Sequence, residues 1–236
     1  VISGRMGTND QFIELHRHSD AADAKRSRPP VPLLTGKTRE EIDAAVEALR
    51  ADDAAKAAPH IDFALKHAPA DPNVQYYAGV YSQRIKDLPA AKQHFETAIA
   101  IYPDHYGAQL DLGSLLLQLQ NDPAGAIPHF EKALSLQPDS WLAHWFEAEA
   151  NLRMHDPANA KTHASRAIEL GKEKSAGAAV TLARAQAMSG DREGARKTLE
   201  EFVRKYPQDP NVGRAQALLN SPAFSPSAAN TSHPNS

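Results

Sequence analysis

Prolines close apolar, helix-patterned segments at Pro69, Pro103, Pro138 and Pro207, at steps of 34, 35 and 69 residues. A chain that repeats itself at this period folds as stacked copies of one small unit. The member missing from the 69-residue step falls at Lys172, directly after Leu170-Gly171, where glycine is the expected helix stop. Four further columns keep the same register. Twelve residues before the stops stand Ala57, Ala91, Ala126, Ala160 and Ala195; eight before them, Ile61, Phe95, Phe130, Ala164 and Leu199. Five before them come Ala64, Ala98, Ala133, Ala167 and Phe202, and about two dozen before them Ala45, Gly79, Gly113, Ala148 and Ala183. Small residues let two helices approach closely, and neither helix of such a pair can bury its apolar stripe alone.

These columns resemble the tetratricopeptide repeat, whose 34-residue pattern has small residues at positions 8, 20 and 27, a bulky one at 24 and Pro at 32. The best match is Gly113-Ser-Leu-Leu-Leu117 followed by Ala126-Ile-Pro-His-Phe-Glu-Lys-Ala-Leu-Ser-Leu-Gln-Pro138. The resemblance covers five repeats, 38–71, 72–105, 106–140, 141–174 and 175–209, with one extra residue in the turn of the third and another before the last. The usual Trp at position 4 is absent throughout. What the resemblance implies is an all-α chain, an α-α superhelix (solenoid) of about five helix pairs plus a C-terminal capping helix.

Helix starts are written in capping chemistry. Asp71-Pro72, Asp122-Pro123, Asp156-Pro157 and Asp209-Pro210 each put an acceptor side chain before a residue with no N–H to satisfy. Thr38, with Glu41 three residues on, reads as a capping box. Pro59 and Pro128 fall inside second helices, where each removes a backbone bond and predicts a kink. Residues 210–220 read as the capping helix, and 221–236, rich in Ser, Pro, Asn and Ala, as a disordered tail in which the sequon at Asn230 is a chance match. At the other end, residues 1–17 alternate polar and apolar side chains and are expected to be the trailing hairpin of an upstream β domain. Residues 18–37, with Arg28-Pro-Pro-Val-Pro32, are expected to be an extended linker.

The chemistry available is narrow. A net charge of −3 gives no basic surface for nucleic acid, and the run Lys25-Arg26-Ser27-Arg28 reads as a solvated linker. There is no cysteine, which fits cytoplasm and periplasm equally, and no apolar stretch of membrane-spanning length. Thr35-Gly36-Lys37-Thr38 resembles the end of a phosphate loop but lacks the first glycine and a preceding strand. His60, His94, His129 and His163 share position 23 of successive repeats and are expected to pack between helices; they are too widely spread along a stack to meet at one metal. His16 and His18 form an alternate pair with no third ligand beside them. No catalytic constellation, cofactor site or metal site is expected.

The expectation is therefore a non-catalytic scaffold for a protein or peptide partner, with self-association as a further mode. The alternative reading is a positioning region of a larger enzyme or envelope protein. In the repeat family the first helix of each pair lines a concave face through positions 2, 5, 9, 12 and 13. Carried onto this chain, those residues are Tyr76, Val80, Gln83 and Arg84, then Leu110, Ser114 and Gln118, then Trp145, Glu149 and Arg153, and last Arg184. Leu117, Leu152, Val180 and Met188 extend the set. The Lys and Asn clamp by which some relatives hold chaperone tails is missing, since Tyr76, Val80, Leu110 and Ser114 occupy its positions. Tyr and Trp anchors with Arg at intervals favour an apolar segment carrying acidic groups.

Overall fold

The structure is a computed structural model that describes residues 34–224. Residues 1–33 and 225–236, and with them the expected hairpin, most of the linker, His16, His18 and Asn230, lie outside the described residues. Eleven α-helices and two short 3-10 turns make up the described chain, which has no strand. The all-α expectation of helix pairs ending in a terminal helix is met. The chain divides into two compact units, Val1–Pro138 and Asp139–Ser236.

In the first unit the helices run α1 Gly36–Arg50, α2 Ala54–His67, α3 Pro72–Arg84, α4 Leu88–Ile101, α5 Tyr106–Gln118 and α6 Pro123–Leu136. Odd-numbered helices are the first members of hairpins and even-numbered ones the second. The core is layered along the helices: Ile42, Ala64 and Val74 make one layer, Ala45, Ile61 and Ala78 the next, and Ala48, Leu49 and Ala57 a third. Each layer draws on α1 together with α2 or α3 or both, so α1 is held by its own hairpin and by the following one. Within a hairpin, position 8 meets position 24, and their sizes are matched. A Cβ built on Gly79 would stand 2.5 Å from Phe95 Cε1, and one on Gly113 would stand 2.6 Å from Phe130 Cε1. Both phenyl rings are fully buried and leave no room for a methyl.

The second unit holds α7 Trp141–Arg153, α8 Pro157–Gly171, a 3-10 turn at Lys172–Ser175, α9 Ala178–Met188, α10 Arg192–Lys205 and α11 Val212–Leu219. A further 3-10 turn, Pro222–Phe224, follows α11. Val180, Ala183, Ala195, Leu199 and Phe202 of α9 and α10 form a core that Ala215 of α11 and Phe224 complete, with Val212, Leu218 and Leu219 packed at its border. Among the described residues α11 covers the apolar face of the last hairpin.

One cap recurs in every hairpin. Asp53, Asp87, Asp122, Asp156 and Asp191 start the second helices, and each carboxylate accepts the backbone N–H three residues on at 2.9–3.1 Å. Just before these aspartates the chain turns through a positive φ, at Asp52, Lys86, Asn121, His155 and Gly190. Asp71 caps α3 in the expected way, from Asn73 and Val74. Three sequence expectations move. The cap of α1 is Thr35, whose hydroxyl accepts from Thr38 N at 3.2 Å; Thr38 is inside the helix and buried, and Glu41 turns to His60 instead of closing a capping box. Asp209 does not start α11: it accepts the N–H of Asn211 in a turn, and the helix begins at Val212. Gly171 does not stop α8 but ends it in helical conformation, and Lys172 takes the positive φ of 50°. The glycine is needed because a Cβ there would meet Ser175 Cβ at 2.5 Å and Trp141 Cγ at 2.8 Å. Both α2 and α6 continue unbroken through Pro59 and Pro128.

Candidate functional site

The first helices were expected to carry the site, and the structure sorts their residues into two groups. Tyr76, Leu110, Ser114, Trp145 and Glu149 are buried. In the first unit Tyr76 lies against the next first helix. Its hydroxyl donates to Asp111 Oδ2 at 3.0 Å, and its ring covers Gly107, where a Cβ would come within 2.9 Å. Burial pushes the Asp111 carboxyl up to about 8, so it is held protonated at neutral pH. The second unit repeats the device with other chemistry. The Trp145 indole N–H donates to Thr181 Oγ1 at 3.0 Å, Thr181 donates to Glu149 Oε1 at 2.5 Å, and Arg184 Nη1 meets Glu149 Oε2 at 3.2 Å. Gly177 receives the Trp145 ring as Gly107 receives Tyr76. These aromatics are wedges between first helices rather than an open floor. The reason is local: a glycine at the start of the following helix makes room for the ring, and a polar residue four positions on satisfies its N–H or O–H.

Val80, Gln83, Arg84, Gln118, Arg153 and Arg184 are half-buried and reach the surface. Arg84 binds the carboxylate of Asp52 and donates to the Leu49 carbonyl at 3.2 Å, tying α3 to the end of α1. Beside them, Met188 of the expected set stands with three residues outside that set, Ile85, Leu119 and Met154. Among the described residues, Ile85, Leu119, Met154 and Met188 are the large hydrophobic side chains that remain exposed, at 47%, 51%, 47% and 44%. All four occupy one repeat position, the end of a first helix, at steps of 34, 35 and 34 residues. The chain leaves the helix through its positive-φ turn within two residues, so no following helical turn covers them. Their common step is legible in the sequence, but it lies outside the columns of small residues that mark helix packing. Ile85 and Leu119 belong to the first unit, Met154 and Met188 to the second.

The histidine column is internal to the hairpins. Position 23 pairs through Nδ1 with position 4 of the same repeat: His60 with Glu41 Oε2 at 2.5 Å, His94 with Gln75 Oε1 at 2.8 Å, and His129 with Gln109 Oε1 at 2.7 Å. His163 pairs with His144, Nδ1 to Nδ1, at 3.1 Å. The polar pair takes the place of the Trp that the repeat pattern leads one to expect. Gln75 and Gln109 also donate through Nε2 to the carbonyls of Pro69 and Pro103, at 2.6 and 2.9 Å, joining each hairpin to the end of the one before it. That orientation requires the His94 and His129 Nδ1 atoms to carry the proton. Burial lowers the proton affinity of His94, His129 and His163. Among the described residues no helix is long and apolar enough to cross a membrane.

Hairpins joined by an αL–Asp turn, with small residues against bulky ones at a 34-residue step, are matched by two family profiles described as tetratricopeptide repeat. One covers residues 42–106, 84–140 and 110–154, and the other covers 151–219. The chain belongs to the tetratricopeptide repeat family. Among solved tetratricopeptide-like structures, MamA from Desulfovibrio magneticus RS-1 is similar over 75% of this chain and 99% of its own, with a TM-score of 0.66 and 18% identity. PilW, a widely conserved type IV pilus biogenesis factor, is similar over 81% of this chain and 98% of its own, with a TM-score of 0.64 and 18% identity. A tetratricopeptide repeat protein from Parabacteroides merdae ATCC 43184 aligns over 78% of this chain and 73% of its own, with a TM-score of 0.65 and 18% identity. At these identities the likeness is one of fold. No curated protein matches the chain significantly in sequence.

Proposed function

We propose that this chain is a non-catalytic scaffold that holds a protein or peptide segment against the ends of its first helices. The observation that carries the reading is the exposed apolar column Ile85, Leu119, Met154 and Met188, one side chain in each of the second to fifth repeats. In each unit the column lies next in sequence to groove positions that reach the surface, Arg84 before Ile85 and Arg153 before Met154. Within each unit, an exposed apolar group repeated at the same place in two successive hairpins offers paired apolar contacts to a partner with apolar side chains. Met is suited to such a surface because its flexible thioether adapts to more than one partner shape. Arg84, Arg153 and Arg184 favour acidic groups at the partner's margins, Arg84 and Arg184 in competition with their own contacts to Asp52 and Glu149. Tyr76 and Trp145 act from behind, as wedges that fix the spacing of the helices presenting the column.

The test is a peptide selected from a randomised displayed library on the full chain, its affinity followed by fluorescence anisotropy. The pairs Ile85→Ser/Leu119→Ser and Met154→Ser/Met188→Ser are expected to weaken binding by about tenfold or more. Glu131→Ala and Lys161→Ala, exposed on second helices, are expected to leave it unchanged. Selected peptides that ignore both serine pairs, or that respond to Glu131 and Lys161, would show that the partner sits elsewhere.

A further inference from the structure

The fourth repeat breaks the polar pairing of its neighbours. In the second and third repeats an amide oxygen faces the histidine, while in the fourth a second imidazole does. We propose that His144 and His163 bind one divalent transition-metal ion of the zinc, nickel or copper(II) class through their two Nδ1 atoms, water completing its shell.

The geometry is that of two adjacent ligands. Imidazole nitrogens lie about 2.0–2.1 Å from such an ion, which puts two of them about 3.0 Å apart at a right angle and about 3.4 Å apart at a tetrahedral angle. The two Nδ1 atoms stand 3.1 Å apart across α7 and α8, with the rings tilted by 48°. An ion can be seated between them with little movement of either helix. The proton inventory points the same way. A neutral imidazole has one N–H and one lone pair. His163 Nε2 lies 3.5 Å from Glu147 Oε1, and the Glu147 side chain is only 8% exposed. That carboxylate favours the tautomer with the proton on Nε2, which leaves the His163 Nδ1 lone pair directed at His144; when the ion binds, the proton that His144 Nδ1 shares in this hydrogen bond moves to His144 Nε2, so that both Nδ1 lone pairs meet the metal. A carboxylate behind the far nitrogen is the usual outer support of a metal-bound histidine.

Access and selectivity follow from the same residues. The His163 side chain is 21% exposed, enough for an ion and its waters to enter. Two nitrogen ligands select zinc, nickel and copper(II) over magnesium and calcium, which take oxygen. Among the described residues no group of three or more His, Asp or Glu could hold an ion. The site therefore has two protein ligands and a correspondingly modest affinity. The sister repeats are excluded because their Gln amides, fixed to Pro69 and Pro103, hold the histidine Nδ1 proton in place.

Those repeats also supply the decisive variant. His144→Gln rebuilds in the fourth repeat the Gln–His pair of the second and third, so it is expected to fold, and it removes one ligand. Zinc chloride is titrated calorimetrically into the full chain, with nitrogen-15 spectra of the imidazoles read in parallel. The wild type is expected to bind one zinc at least about tenfold more tightly than His144→Gln, with Nδ1 shifts at His144 and His163 and a zinc-dependent rise in thermal midpoint that the variant lacks. The variant His16→Gln/His18→Gln, which removes the other closely spaced pair in the sequence, is expected to keep all three effects. Equal zinc affinity in wild type and His144→Gln, or no saturable zinc binding by the wild type, overturns the proposal.

Discussion

At the scale of single residues, the hairpins are governed by a size rule between positions 8 and 24. Gly79 faces Phe95 and Gly113 faces Phe130, whereas the other repeats combine Ala45 with Ile61, Ala148 with Ala164 and Ala183 with Leu199. The columns themselves were legible in the sequence as small and bulky. Their pairing within a hairpin was not, because a period reports which residues are equivalent and not which ones touch. Gly113→Ala is expected to destabilise the first unit by about 1–3 kcal/mol, since the added methyl must displace a fully buried ring. Adding Phe130→Leu to Gly113→Ala reproduces the Ala–Leu combination of the last repeat and is expected to recover part of that loss. Urea melts of both single variants and the double variant check it through the coupling energy; additive effects would show that the two positions do not share the space. Tyr76 and Trp145 carry a related lesson. Aromatic residues on a helix face read equally as ligand anchors and as packing, and only Gly107 and Gly177 in the next helix decide for packing.

At the scale of elements, the unit is an αL–Asp turn followed by a second helix, whose histidine is bonded to the first helix in four of the five hairpins. Three of the five turn aspartates, Asp53, Asp87 and Asp191, escaped a reading that looked for Asp-Pro, although the same side chain does the same work without the proline. The histidine pairs were legible as a column but not as hydrogen bonds, because their partners at position 4 are Glu, Gln, Gln and His, which share no residue type. The pairs make stability depend on pH. His94 and His129 are held below the usual histidine value by burial, against the smaller opposing pull of Asp87 and Glu96 respectively. A base with a depressed folded pKa binds fewer protons folded than unfolded, so the contribution is intact above the unfolded value near 6.5 and is lost as pH falls from there through the folded value. Asp111 slopes the other way, since its raised pKa makes stability fall as pH rises from about 4 to about 8. The comparison of wild type with His94→Gln/His129→Gln at each pH cancels that term. Between pH 7.5 and 5 the wild type is expected to lose more thermal midpoint than the variant; equal losses would show that these rings titrate alike in both states.

At the scale of the whole molecule, stability in a repeat protein is a sum of hairpin terms and nearest-neighbour interfaces, so the last hairpin depends on what ends the stack. Among the described residues the last hairpin is covered by α11 and the Pro222–Phe224 turn, which bring Ala215 and Phe224 onto Val180, Leu199 and Phe202. That a terminal helix follows Pro207 was legible from its apolar residues. Its first residue was not, because Asp209-Pro210 has the form of a cap but spends its carboxylate on the Asn211 turn. Truncation after Pro210 is expected to leave α9 and α10 with an uncovered apolar face, where burial is worth about 25 cal/mol per Å2 of apolar surface. Because only nearest neighbours interact, the loss should be local. Hydrogen exchange is therefore expected to speed up most in α9 and α10, whose opening free energy falls directly, and least in α1 and α2. Uniform acceleration across all helices would mean that the chain opens as one cooperative block. Protection unchanged in α10 would mean that the final helix is an appendage and that Leu199 and Phe202 are held by their own hairpin alone.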